Sequence, residues 1–580
     1  MSVKLLLRFP LVVVFVLFLL PIGCKQSSRR SNQEAMRSDS KSWDPYLNEF
    51  LEAYFVAHPD FAARAGRHEF DGKLPDWSAE GIANEIKRLR DEKDHVARFR
   101  NGSLNERQRL ERDYLLSVIN VDLFWLESAE WPFRNPYFYA DAIDPDFYVS
   151  RPYAPLDQRL RAYTAYARAV PTALEQIRKN LRTPLPKTYV DIGHTSFGGL
   201  VSFYEKDVPA VFATVKDEQL QKDFHEANGA AIKAMKELDA WFKTQEASAT
   251  DKFALGAEKF SEMLRQTEGV EVRLDELENV GRRDLERNQA ALREACEKYA
   301  PGQSITACIA KAEANKPVGG PVEAARKQLT DLKAFISEKK IVTIPGTEEA
   351  LVAEAPAYRR WNFAYINIPG PYEKGLPSIY YIAPPDPSWS AQEKAAYLPG
   401  QANLLFTSVH EVWPGHFLQF LHANRSPSKF GQVFVGYAFA EGWAHYAEEM
   451  MWEAGLGNGN PEIHIGQLLN ATLRNVRFLS AIGMHTGKMT VEESEAMFRD
   501  EGFQDTATAR QQAARGTFDP AYLNYTMGKL MIRKLREDWT RGRGGKEAWQ
   551  EFHDEFLQYG GPPIPLVRKA MLADDKGSLF

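Results

Sequence analysis

The chain has 580 residues, 44% of them hydrophobic and 26% charged, with a net charge of −6. This is an ordinary globular composition, and its acidic balance leaves no electrostatic footprint for nucleic acid. The length admits several domains or one large helical body, and no repeat at a solenoid period divides it.

In chain order the first element is a leader. Lys4 and Arg8 precede an apolar run from Phe9 to Leu20, too short for a bilayer span and suited to a secretory signal over residues 1–23. "LPIGC" closes that signal as a bacterial lipobox does, which makes Cys24 the expected site of lipidation. Pro21 stands where a lipobox has an aliphatic residue, so the expectation is an exported, periplasmic or cell-envelope protein with or without the lipid. The membrane is then a partner only through that anchor. Cleavage moves the net charge from −6 to −8. Residues 24–43 are polar, carry no core pattern and read as a flexible tether.

From Trp43 to about Lys340 the pattern is helical. "YLNEFLEAYFVAHP", "QRLRAYTAYARAVPTALEQIRKNL" and "LDELENVGRRDLERNQAALREACEKY" repeat apolar residues at three-to-four spacing, with proline-rich breaks between such stretches. Cys296 and Cys308 flank a Pro-Gly turn. Setting Cys24 aside leaves an even cysteine count, and an exported chain meets an oxidising compartment, so the pair is expected as a disulfide. The alternative is two buried thiols. Near residue 351 the texture changes to aromatic and β-branched residues broken by Gly and Pro, which predicts short strands near 358–385. Such a sheet either walls a cleft or marks a domain seam. Ser390 with Glu393 three residues on predicts a capped helix start, and "GNGNP" at 457–461 predicts a loop.

"HEVWPGHFLQ" at 410–419 raises the question of chemistry. Without Pro414 and Gly415 it reads HEVWH, the two-histidine-plus-glutamate pattern of a metallopeptidase helix. As written, the histidines are six positions apart, roughly 120° around a regular helix rather than about 40°. Pro414 removes a backbone donor, so a kink or bulge is expected there, and a two-residue bulge would restore the missing phase. A catalytic zinc takes three protein ligands and keeps one open position. "YAFAEGWAHYAEEMM" supplies Glu441 as the third, with His410 and His416 as the other two. Glu411 then has the position of a general base acting on zinc-activated water. His445, one turn after Glu441, either orients a ligand or meets substrate.

The pairing of "HEVWPGHFLQ" with "AEGWAHYAEE" resembles the bacterial domain-of-unknown-function 885 family. The likeness extends to "LRNVRFLSAIGMHTGKMTVEESEAMF", "ARGTFDPAYLNYTMGKLMIRKLR" and "AHPDFAARAGRHEFDGKLPDWS". It implies a mainly α, metallopeptidase-like helical body over residues 44–580 with a deep zinc cleft, in the broad gluzincin-like clan, hydrolysing peptides. By position it implies His410, His416 and Glu441 as metal ligands and Glu411 as base. His485 and Tyr525 fall in the later motifs, as oxyanion hydrogen-bond donors or as a helix-capping imidazole and an interior tyrosine. Arg515 either binds a substrate carboxylate or forms a surface salt bridge.

No G-x-S-x-G elbow, P-loop or dinucleotide fingerprint is present. The expected function is an exported zinc peptidase. The alternatives are a cell-envelope scaffold with a structural or vestigial metal site, and a zinc amidase acting on a non-peptide amide.

Overall fold

The computed structural model describes residues 43–356, 360, 363–572 and 577–580. The expected signal peptide, Cys24 and all but the last residue of the expected tether lie outside them. Helix dominates, as the apolar spacing predicts, and among the described residues no helix is long and apolar enough to cross a membrane.

A helix over residues 43–57 (α1) begins the described chain. It buries Trp43, Phe50 and Phe55, in a cluster that also takes in Phe430 and Phe434 from far along the chain. A second core is built on Leu156–Asn180 (α2) and Glu218–Gln245 (α3), with Tyr163, Leu174 and Met235 among its buried residues. Leu274–Tyr299 (α4) spans the residues its periodicity predicts, with Asp275 and Glu276 in the first turn and Lys298 in the last, complementing the helix dipole. Ile305–Ala314 (α5) and Pro321–Lys339 (α6) follow.

Cys296 on α4 and Cys308 on α5 form a disulfide with their Cα atoms 5.7 Å apart, packed beside Ile465 and Leu468. Closing a loop this short removes unfolded-state entropy worth about 3 kcal/mol. The double variant Cys296→Ser/Cys308→Ser is therefore expected to show an unfolding midpoint shifted down by that much free energy. An unchanged denaturant midpoint would show the bridge to be energetically idle.

The small sheet contains Ala350–Glu354 (β1), Ala364–Asn367 (β2) and Ser378–Ile382 (β3), in the order β1-β3-β2. β1 runs parallel to β3 and β2 antiparallel to it. β1 lies before the predicted interval, because "ALVAE" holds alanine and glutamate that serve a helix as well as a strand. Ser390 caps the next helix through the expected box with Glu393.

The remaining elements used below are Gln401–Glu411 (α7), His416–Ala423 (α8), Tyr437–Glu453 (α9), Pro461–His485 (α10), Thr506–Phe518 (α11) and Asn524–Thr540 (α12). Two close approaches fix them. A Cβ on Gly281 of α4 would lie 2.3 Å from the Phe478 ring of α10. One on Gly442 of α9 would lie 2.5 Å from the Cα of Gly528 on α12, a separation only two glycines permit. The second crossing brings the start of α9 beside the start of α12.

Candidate metal centre

The Pro-Gly pair ends one helix and begins another, with the Trp413–Pro414 peptide in cis. Gly415 N donates to Val409 O at 2.9 Å and Leu418 N to Val412 O at 3.4 Å, each bond spanning six residues where a helix spans four. Two residues are thus looped out, and the phase lost by the longer spacing is recovered. The His410 and His416 rings meet with centroids 4.8 Å apart and planes at 84°. Gly415 is required here, since its Cβ would lie 1.7 Å from His410 O. Trp443 Nε1 donates to Pro414 O at 2.8 Å, so the tryptophan of "EGW" pins the turn of "PGH". That bond gives a physical reason for the two motifs to occur together.

Glu441 stands at the start of α9, two residues before Trp443. Its Oε2 lies 3.3 Å from His410 Nε2 and 3.3 Å from His416 Nε2. The oxygen is buried and has no hydrogen-bond partner among the described residues, so neither contact has hydrogen-bond geometry. Two atoms held about 2.05 Å from one tetrahedral zinc are separated by about 3.3 Å, so this donor set fits the ion. The three side chains place ligand atoms within 4.8 Å of one another.

The charges agree with the donors. Burial would raise the Glu441 carboxyl, but His416 and His410 hold it well below the carboxylate range. Burial and Arg474 push the His410 imidazole down, while its carboxylate neighbours Glu441 and Glu448 carry it up to about 9. Glu441 and Glu448 thus set two carboxylates against the His410 imidazole. Burial raises the Glu411 carboxyl above its ordinary value; His416 and His410 oppose the rise and Glu441 adds to it. Glu411 Oε2 accepts a hydrogen bond from Ile366 N of β2 at 3.2 Å. The small sheet thus aims the candidate base.

Behind the cluster lies Glu448, fully buried on α9. Its Oε1 is 2.7 Å from His410 Nδ1 and 3.0 Å from an Arg474 nitrogen. With Nδ1–H donating to Glu448, the Nε2 lone pair of His410 is left for a metal. His445 joins the same carboxylate from Nδ1 at 3.4 Å and is fully buried, with its imidazole pushed down to about 3 by burial. It touches His410 only through Glu448, which is the arrangement of a residue that orients a ligand.

Tyr525 comes to the cluster. Its ring lies 6.3 Å from that of His410 at an interplanar angle of 16°, and its hydroxyl makes no hydrogen bond among the described residues. His485 does not come to it. At the end of α10, its Nε2 donates to Gly516 O at 2.7 Å and its Nδ1 accepts from Leu255 N at 3.4 Å, while Phe260 stacks on the ring. Both nitrogens are spent on backbone, which leaves no donor for an oxyanion and makes His485 a structural imidazole. Arg515 is bound to Asp519 at 2.9 Å and to the Tyr437 hydroxyl at 3.0 Å, in a part-buried salt bridge rather than the surface one expected as an alternative.

Sequence reasoning passed over Glu448, Arg474 and Arg477. The seven-residue interval from Glu441 to Glu448 places both carboxylates on one face of α9, a signal readable without coordinates.

The profile of the family described as "Bacterial protein of unknown function (DUF885)" matches residues 59–571. No curated protein matches the chain. Two solved structures are similar in fold. One is of "a putative lipoprotein of unknown function from Shewanella oneidensis", 24% identical, covering 91% of this chain and 99% of that one with a TM-score of 0.76. The other is of "the putative lipoprotein from Colwellia psychrerythraea", 17% identical, covering 86% and 92% with a TM-score of 0.70.

Proposed function

We propose that this chain, which belongs to the bacterial DUF885 family, is an exported zinc-dependent peptidase of the gluzincin-like type. The observation that carries the reading is the Glu441 oxygen, buried without a hydrogen bond and equidistant from two imidazole nitrogens. His410, His416 and Glu441 would hold the ion. A bound zinc supplies a Lewis acid for the scissile carbonyl and brings the pKa of its water to about 7.

The chain's own residues do the rest. Glu411 takes the proton of the attacking water and returns it to the leaving amine, a role its raised carboxyl suits. Its backbone tether to Ile366 holds one oxygen and leaves the other for the water. Tyr525 supplies a free hydroxyl to the oxygen of the tetrahedral intermediate. Glu448 keeps His410 in the ligating tautomer. A structural zinc site is closed by four protein ligands, whereas three ligands beside a carboxylate base leave a position open for reaction. The lipobox-like "LPIGC" and the lipoprotein descriptions of both structural neighbours support an exported protein anchored through Cys24.

The purified mature protein is expected to carry about one zinc per chain and to cleave members of a peptide library. His416→Ala is expected to lose the metal, as read by elemental analysis after dialysis. Full zinc content in that variant would show the ligand set to be wrong.

A further inference from the structure

Three arginines surround the Tyr525 ring: Arg474, Arg477 and Arg515, with guanidinium carbons 5.6, 4.8 and 5.9 Å from its centroid. Two are committed. Arg474 is paired with Glu448 and Arg515 with Asp519. Arg477 is different. It is 8% exposed, its Nε donates to the neutral Gln512 side chain at 2.8 Å, and it forms no ion pair among the described residues. Its two terminal nitrogens make no hydrogen bond there and keep accessible surface. The strongest electrostatic influences on it come from Arg515, Tyr525, Arg474 and Tyr437, none of them a carboxylate.

A nearly buried guanidinium without a counter-ion is costly, since leaving water is compensated only when an anion or a full set of acceptors replaces it. The two nitrogens left open are those of the guanidinium fork, whose geometry matches a carboxylate held by two parallel bonds. The Tyr525 ring lies 4.8 Å from the Arg477 guanidinium carbon and 6.3 Å from the His410 ring. An extended peptide advances about 3.3–3.6 Å per residue. Up to about three residues therefore span the distance from the candidate metal ligands to the fork.

We infer that Arg477 binds the C-terminal carboxylate of a peptide, so that the chain removes a short fragment, up to about three residues, from free C-termini. This rests on the peptidase reading above. In the step, water adds its oxygen to the carbonyl carbon, the C–N bond breaks, and the amine of the short fragment takes the proton that Glu411 carried.

The test uses zinc-loaded protein and three N-terminally fluorescent pentapeptides: one with a free C-terminus, one amidated, and one amidated with an internal glutamate. Binding is measured by anisotropy in a Glu411→Gln background to prevent turnover, and cleavage by mass spectrometry in the parent protein. The free acid is expected to bind roughly 10- to 100-fold more tightly than the amide, the range for a hydrogen-bonded charged group. Arg477→Met should bring the two within about twofold, and Arg477→Lys should recover part of the difference because it keeps charge without the fork. Fragments of up to about three residues should leave the free acid. Equal binding of acid and amide by the parent, discrimination that survives Arg477→Met, or equal binding of the internal-glutamate amide would each overturn the assignment. If Arg477→Met does not fold, failure of Arg477→Lys to reduce discrimination has the same force. Arg477-dependent binding without any cleavage would leave the carboxylate site standing and the peptidase reading failed. Cleavage indifferent to the C-terminus would do the reverse.

Discussion

Glu411→Gln is expected to keep its zinc and to lose peptide hydrolysis by roughly 10²- to 10⁴-fold, the usual contribution of a general base. The substitution keeps the side chain's shape and an oxygen able to accept from Ile366 N, so the loop and sheet stay in register. What disappears is the site that takes the proton. Because burial raises the Glu411 carboxyl, the parent should lose kcat/KM as pH falls through that raised value. The protonated acid is no base. That acidic limb should be absent from the residual activity of Glu411→Gln, since the amide does not titrate. Wild-type rates in this variant, with zinc bound, would sink the mechanism.

The second large effect concerns the metal itself. Glu441→Gln replaces the one anionic ligand by a neutral one and should weaken zinc binding more than Glu448→Gln does. For Glu448→Gln the expected loss is roughly 10- to 100-fold, the range seen when a partner behind a ligating histidine is removed. Competition against a chromophoric chelator measures both. The metal-free protein holds His410 protonated below about pH 9, so zinc must displace that proton. Affinity is therefore expected to rise with pH toward 9 and level off above it, and calorimetry in buffers of different ionisation enthalpy should register the released proton. Glu448→Gln removes one cause of the raised value and should move the plateau to lower pH. If Glu448→Gln binds zinc as tightly as the parent, the tautomer argument for His410 fails.

How far the site could be read without coordinates differs residue by residue. His410, His416 and Glu441 stood out as candidate ligands because ligand types are few and their spacing is constrained by helix geometry, and the structure brings the three together. Even the interruption was informative, since only an insertion of two residues returns His416 to the phase of a helix turn, and the six-residue hydrogen bonds show that return. The ends of α4 and the Ser390 cap were legible for the same local reason. His485 and Arg515 were not, because their roles depend on partners distant in sequence or on backbone. Leu255 and Gly516 occupy the imidazole of His485, and no side-chain pattern reports a backbone acceptor. Arg477, unlike Arg474, has no acid partner among the described residues, and that difference appears once α9, α10 and α11 are placed together.

The hydrogen bond from Ile366 to Glu411 comes from the main chain, and this has a consequence for how the protein can change. Every amino acid except proline offers the same N–H at that position. Side chains along residues 364–367 can therefore be exchanged without releasing the carboxylate they help to aim. Ala364 is held by the core and Asn367 by Arg151, but the half-buried Tyr365 and Ile366 are open to change, and with them the shape of what fits against the candidate site. On the peptidase reading proposed above, chemistry and selectivity are in this respect separately heritable, the one written in the histidine and glutamate helices and the other open to revision in the wall.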